Sequence, residues 1–172
     1  EFKTLELAEW IETVDMESGP LVFVLDELED PHNDGAIIRV AAAAGASGVI
    51  MSKHRQAPIT STVYKTSAGT ASRLPIVVVS NTNDTIKKLK DAKFWVIGLV
   101  GAAKKNIWSE DFDAPVAIVV GNEGNGIREI TKKTCDYLLS IPMEGGVESL
   151  NASVTAGVVA YEWKRKNFHG SR

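Results

Sequence analysis

Cysteine is nearly missing from this chain: Cys135 is the only one in 172 residues. A single thiol excludes a disulfide framework and a cysteine zinc cluster, and it suits a reducing compartment. Histidine is scarce as well. His32, His54 and His169 show no metal-ligand spacing, so no metal is expected. No apolar run approaches the ~20 residues of a membrane-spanning helix, so no membrane partner is expected. The first residues, EFKTLELAEWIE, lack the apolar core of a signal peptide. A cytoplasmic location is the expectation, or an organellar matrix in a eukaryote. Basic excess is also absent. The net charge of −3 argues against strong non-specific nucleic-acid binding by this chain alone. Several chemical signatures are missing too. There is no G-x-S-x-G elbow and no P-loop lysine, and GNEGNG is not the G-x-G-x-x-G of a dinucleotide site. Covalent nucleophilic catalysis and nucleotide-dependent redox chemistry are therefore disfavoured.

What is present describes one α/β domain. A chain of this length buries roughly 70% of its unfolded surface without staples. Apolar runs alternate with helical patterns. Strands are expected at 21–28, 47–52, 75–80, 94–100, 115–120 and 136–142. Helices are expected at 5–14, 36–44, 61–67, 83–91, 127–133 and 150–166. Asn83 or Asp84 is the expected cap of the fourth helix, and DPHNDG is read as a turn. The runs are continuous rather than alternating, as in a parallel sheet covered on both faces. A ligand then belongs at the carboxyl ends of the strands.

Three glycine-rich or polar loops come after expected strands: DPHNDGAIIR, GNEGNG and MEGGVESLN. Their meeting at one crevice would gather Asn33, Arg39, Glu123, Ser149 and Asn151. Arg39, six residues after Asn33, is read as a buried arginine pointing back to the loop, suited to a phosphate or a developing oxyanion. An Arg39–Glu123 salt bridge joining two loops is the structural alternative. Lys53, Arg55, Lys65 and Arg73 form a local basic group that could meet RNA, unless it is an ordinary solvated face.

DPHNDGAIIRVAAAAG, VVGNEGNGI and IPMEGGVESLNASV, in this order and spacing, resemble the three motifs of the SpoU/TrmH family of RNA ribose 2′-O-methyltransferases, in the SPOUT superfamily. The resemblance covers roughly residues 21–166. It implies a parallel sheet flanked by helices with a C-terminal deep trefoil knot. It further implies S-adenosyl-L-methionine as methyl donor, no metal, and a homodimer through the C-terminal helix, with Val154, Val158, Tyr161 and Trp163 at the interface. Carried over by motif, the cofactor is expected at Leu99, Val100, Gly101, Gly121, Asn122, Ile141, Met143, Ser149 and Leu150. Asn33, Arg39, Glu123, Ser149 and Asn151 are the expected catalytic residues. Arg39 positions phosphate and stabilises the alkoxide.

NDGAIIR, KTSAGT and PMEGGVESLNASVTAG are more similar to the ribosomal-RNA subgroup, with 23S-type guanosine as target, than to the tRNA subgroup. The expected organisation is a single catalytic domain over 1–172, with 1–18 as a helical lead-in and without an auxiliary RNA-binding domain. A tRNA ribose is the rival substrate. A non-catalytic RNA-binding module is the rival of another class, and the intact polar set of the three motifs speaks against it.

Overall fold

The computed structural model describes residues 4–54 and 60–169. Seven strands alternate with helices: β1 (Thr4–Leu5), α1 (Leu7–Thr13), β2 (Leu21–Asp26), α2 (Pro31–Ala44), β3 (Gly48–Ser52), α3 (Ser61–Thr66) and β4 (Ile76–Val79) come first. The second half holds α4 (Thr82–Asp91), β5 (Trp95–Leu99), β6 (Val116–Gly121), α5 (Glu129–Thr134), β7 (Tyr137–Leu139) and α6 (Ala152–Asn167). The strands form one sheet in the order β1-β4-β3-β2-β6-β5-β7, and every pairing is parallel. The parallel sheet flanked by helices is thus the architecture expected from the continuous apolar runs.

Successive strand residues feed opposite faces of the sheet, and both faces are covered. Leu21, Phe23 and Leu25 pack with Ile37, Ile38 and Ala41 of α2 and with Ala156, Val159 and Ala160 of α6. Val22 and Val24 pack with Trp10 of α1, Ile86 and Leu89 of α4, and Ile127. All six β2 side chains are buried as a result, and each large apolar one contributes roughly 1.5–3 kcal/mol. Residues 4–18 are more than a helical lead-in. Thr4 and Leu5 pair with Ile76 and Val77 as an edge strand, and the fully buried Trp10 stacks on Phe94 with ring centroids 5.9 Å apart.

Helix starts depart from the sequence reading where capping chemistry decides them. α2 begins at Pro31, because Asp30 accepts from the His32 amide at 2.9 Å and proline is favoured in the first helical turn. DPHNDG is therefore cap plus first turn, which buries Asn33, Asp34 and Gly35. α4 is capped by Asn81, which accepts from the Asp84 amide at 3.0 Å, and not by Asn83 or Asp84. Asn81 has the extended backbone of a cap, whereas Asn83 and Asp84 already lie inside the helix. α6 starts at Ala152, with Asn151 as its cap. Trp163 is buried against the core at 8% exposure, whereas Val154 and Tyr161 are about half exposed. Trp163, expected at the dimer interface, is instead part of the core cluster on that side of the sheet.

The order in which strands are added to the sheet switches sides between β2 and β6, which run parallel. After β2 the chain builds β3 and β4 on one side; β5 and β7 lie on the other. The carboxyl ends around such a switch point are where an open α/β sheet leaves room for a ligand.

Candidate functional site

A cleft of about 350 Å³ opens at the carboxyl ends of β5, β6 and β7. Its walls come mainly from three segments, Leu99 to Gly101 after β5, residues 120–127 around the end of β6, and Ile141, Met143 and Glu148 to Leu150 after β7, with Lys132 of α5 and Ala152 and Thr155 of α6 completing them. All nine residues expected around the cofactor line it: Leu99, Val100, Gly101, Gly121, Asn122, Ile141, Met143, Ser149 and Leu150. Leu99, Val120, Leu139, Ile141 and Leu150 supply an apolar patch, Glu123, Lys132 and Glu148 supply charge, and the lining as a whole is about evenly polar and apolar. Such a wall suits a flat ring with a polar tail.

Backbone geometry makes this space. The Val100 amide donates to Leu139 O at 2.9 Å, and the Ile107 amide donates to Ser140 O at 2.9 Å. The segment leaving β7 is therefore tied to the loop leaving β5. A Cβ on Gly101 would stand 3.2 Å from Glu148 O, so these segments pass in close contact. Gly121 has no room at all: its Cβ would lie 2.3 Å from Gly126 C and Ile127 N. Asn122 and Gly126 exchange backbone hydrogen bonds of 3.1 and 2.9 Å. Asn122 Oδ1 accepts from the Gly124 amide at 2.8 Å. GNEGNG is thus a closed turn folded back on its own strand.

The expected catalytic residues do not all converge. Asn33 and Glu123, ninety residues apart, are joined by an Asn33 Nδ2 to Glu123 Oε1 hydrogen bond of 2.8 Å. Asn33 is 5% exposed, and Glu123 reaches the cleft rim. The first loop touches the site through this bond and does not line the cleft. Ser149 lines the cleft and is exposed. Asn151 does not line it. Its Oδ1 accepts from the Ser153 and Val154 amides at 2.9 and 3.4 Å, and from Ser153 Oγ at 2.6 Å. This capping accounts for the polar start of α6.

Arg39 corrects the sequence reading. It is exposed rather than buried, and Glu123 is held by Asn33, not by Arg39. The cause is helical geometry. A helix confined to 36–44 would leave Arg39 near the loop. With the helix starting at Pro31, six residues rotate Arg39 about 240° from Asn33, away from that face. Lys53, Lys65 and Arg73 are exposed on the segments after β3, on α3 and before β4. Arg55 lies outside the described residues.

One constellation was missed. Asp26, at the end of β2, has a fully buried side chain. Arg128 holds it through NH2 to Oδ1 at 2.8 Å and Nε to Oδ2 at 3.4 Å. The same guanidinium lies 3.3 Å from Glu27 Oε1. The hydrogen bond to Asp26 raises the Arg128 pKa above its ordinary value, against the effect of burial. An acid closing an apolar run is the sequence signal, since a buried carboxylate needs a partner. That the partner stands 102 residues later is not legible. Cys135 is buried and its thiol is pushed up to about 12, chiefly by that burial, so it is no nucleophile. Among the described residues no group of His, Cys, Asp and Glu could hold a metal ion. Among them, too, no helix is long and apolar enough to cross a membrane.

Comparisons with known proteins agree with the motifs. The chain is 46% identical over 151 residues to the 23S rRNA (guanosine-2′-O-)-methyltransferase RlmB of Ralstonia nicotianae, covering 88% of this chain and 61% of that protein's length. The SpoU methyltransferase AviRb of Streptomyces viridochromogenes, in complex with AdoMet, superposes with a TM-score of 0.82 at 30% identity over 92% of this chain and 61% of the other. The AdoMet-bound rRNA methyltransferase of Sinorhizobium meliloti gives a TM-score of 0.85 at 28% identity over 95% and 61%. The family model matches residues 20–161, so the chain belongs to the SpoU rRNA Methylase family.

Proposed function

We propose that this chain carries the catalytic domain of an S-adenosyl-L-methionine-dependent RNA ribose 2′-O-methyltransferase acting on ribosomal RNA of the 23S type. One observation carries the reading: all nine residues expected at the cofactor line one cleft at the strand ends. The cleft's chemistry supports it. Its apolar patch suits adenine, glycines let backbone approach closely, and Glu123 and Glu148 suit a ligand bearing a sulfonium and an ammonium. Solved relatives hold AdoMet, and the RlmB relative names a guanosine 2′-oxygen of 23S rRNA as its target.

When bound, S-adenosyl-L-methionine would supply a methyl group on a positively charged sulfur for transfer to the ribose 2′-oxygen, with the neutral thioether as leaving group and the hydroxyl proton passing to solvent. The protein positions the hydroxyl and stabilises the developing alkoxide. Glu123, held at the cleft rim by the buried Asn33, orients the ribose. Arg39, exposed and charged, contacts RNA phosphate beside it. Ser149 faces the same space. Asn151 fixes the loop's exit into α6. Lys53, Arg55, Lys65 and Arg73 extend the phosphate contacts, and RNA binding by the chain alone is weak and salt-sensitive because its net charge is negative.

The close contact between the segments leaving β5 and β7 supports a knotted C-terminus. Val154 and Tyr161, one helical stripe with about half of each side chain exposed, support a homodimer through α6. The site is cytoplasmic, where ribosomal RNA is processed. Calorimetry with S-adenosylmethionine, then transfer of labelled methyl to 23S rRNA and to tRNA, tests the reading. Binding and labelling of 23S rRNA at ribose are expected. No binding at millimolar ligand overturns the function, and labelling of tRNA alone overturns the substrate. Light scattering that shows a monomer at micromolar concentration overturns the dimer.

A further inference from the structure

Three contacts stitch the exit of β2 to the exit of β6, and Arg128 starts the series. Its fork meets oxygens of two carboxylates, on Asp26 and Glu27. Glu27 stands at φ +59, the left-handed region that a residue with a Cβ seldom adopts. In that conformation Glu27 O accepts from Asn122 Nδ2 at 2.8 Å. Asn122 Oδ1 in turn accepts from the amides of Gly124 and Asn125 at 2.8 and 3.3 Å. Those bonds shape the turn that presents Glu123, whose carboxylate takes the Asn33 amide.

We propose that Arg128 is a positioning residue: by holding Asp26 and Glu27 it fixes Asn122, and through Asn122 it aims Glu123, which Asn33 braces, at the substrate ribose. This rests on the methyltransferase reading. Arg128 does not line the cleft, so its effect reaches the substrate through others. Strand pairing does not require it. β2 and β6 are already in register from Leu21↔Val116 to Asp26↔Gly121, and the strained Glu27 lies just beyond that register, where sheet bonds cannot hold it. A lysine would not substitute. Its point charge reaches one carboxylate at a time, whereas the planar guanidinium serves both with separate nitrogens.

A double-mutant cycle with Glu123→Gln, assayed well below the melting temperature of every variant, tests the proposal. Arg128→Ala should lower kcat at least tenfold in the wild-type background and less than twofold in the Glu123→Gln background. Arg128→Lys should recover less than a third of the loss. Two NMR signatures do not depend on activity. In Arg128→Ala the Gly124 amide should exchange at least tenfold faster and the Asn33 side-chain amide resonance should move, while the amides of Val24 and Val119 in the sheet keep their protection. Independent, multiplying losses in kcat, or an unchanged Gly124 amide and Asn33 resonance, overturn the proposal. A wild-type chain that transfers no methyl group to any RNA sinks the functional reading instead, and the NMR arm still decides whether Arg128 sets the turn.

Discussion

Gly121→Ala places one methyl group where the fold has no space. Gly121 ends β6 opposite Asp26, and the added Cβ would meet Gly126 C and Ile127 N at 2.3 Å and Gly126 O at 2.6 Å. These are backbone atoms, so no side-chain rotation relieves the overlap. The turn must open, which breaks the two Asn122–Gly126 backbone bonds. Each contributes about 1 kcal/mol net, and forced overpacking adds roughly 1–3 kcal/mol. The expected destabilisation is about 3–5 kcal/mol, a fall in Tm of roughly 6–20 °C for a chain of this size. Gly126→Ala is the control. Gly126 has φ +66 but nothing within 4 Å of an added Cβ, so only the left-handed backbone penalty applies, ~1–2 kcal/mol. Urea unfolding monitored by circular dichroism measures both. Calorimetry with S-adenosylmethionine should show at least a hundredfold loss of affinity in Gly121→Ala. A Gly121→Ala variant within 1 kcal/mol of wild type, or less affected than Gly126→Ala, would refute the packing argument.

Asn151→Ala should cost about 1 kcal/mol of stability, because the α6 cap is lost, whereas Asn151→Asp keeps an accepting oxygen and should stay near wild type. Urea midpoints compare them, and equal stability of all three removes the capping role. Arg39→Ala should unfold within about 0.5 kcal/mol of wild type, since its side chain is exposed, while methyl transfer falls roughly 10²–10³-fold with donor affinity unchanged; wild-type turnover would disprove its role. Cys135 is buried with its thiol pushed up to about 12, so a thiol reagent at pH 8 should label it only after denaturant is added. The folded state keeps this proton where an unfolded thiol, near 8.5, gives it up, so the contribution is present below that pH and is lost as pH rises above it. Stoichiometric labelling of the native chain within minutes would contradict this burial.

Much of this protein is legible from its sequence because the signals are local. A continuous apolar run such as Leu21–Leu25 states a strand covered on both faces. Gly45 states a helix end, which the chain reaches at φ +88. The motif order named the loops, and the nine residues it marked for the cofactor do line one cleft. Local signals fail where several residues compete for one role. Asn81, Asn83 and Asp84 can each cap a helix, and the role went to Asn81, whose backbone is extended where the helix begins. Tertiary structure alone decided what depends on distant partners and on rotation about a helix. The start of α2 at Pro31 turned Arg39 outward. Packing of α6 on the core turned Trp163 inward. The fold brought Asn33 to Glu123 and Arg128 to Asp26 across 90 and 102 residues. A side chain's type fixes what it can bond, but its direction is set by the element that carries it, and its partner by where the chain returns.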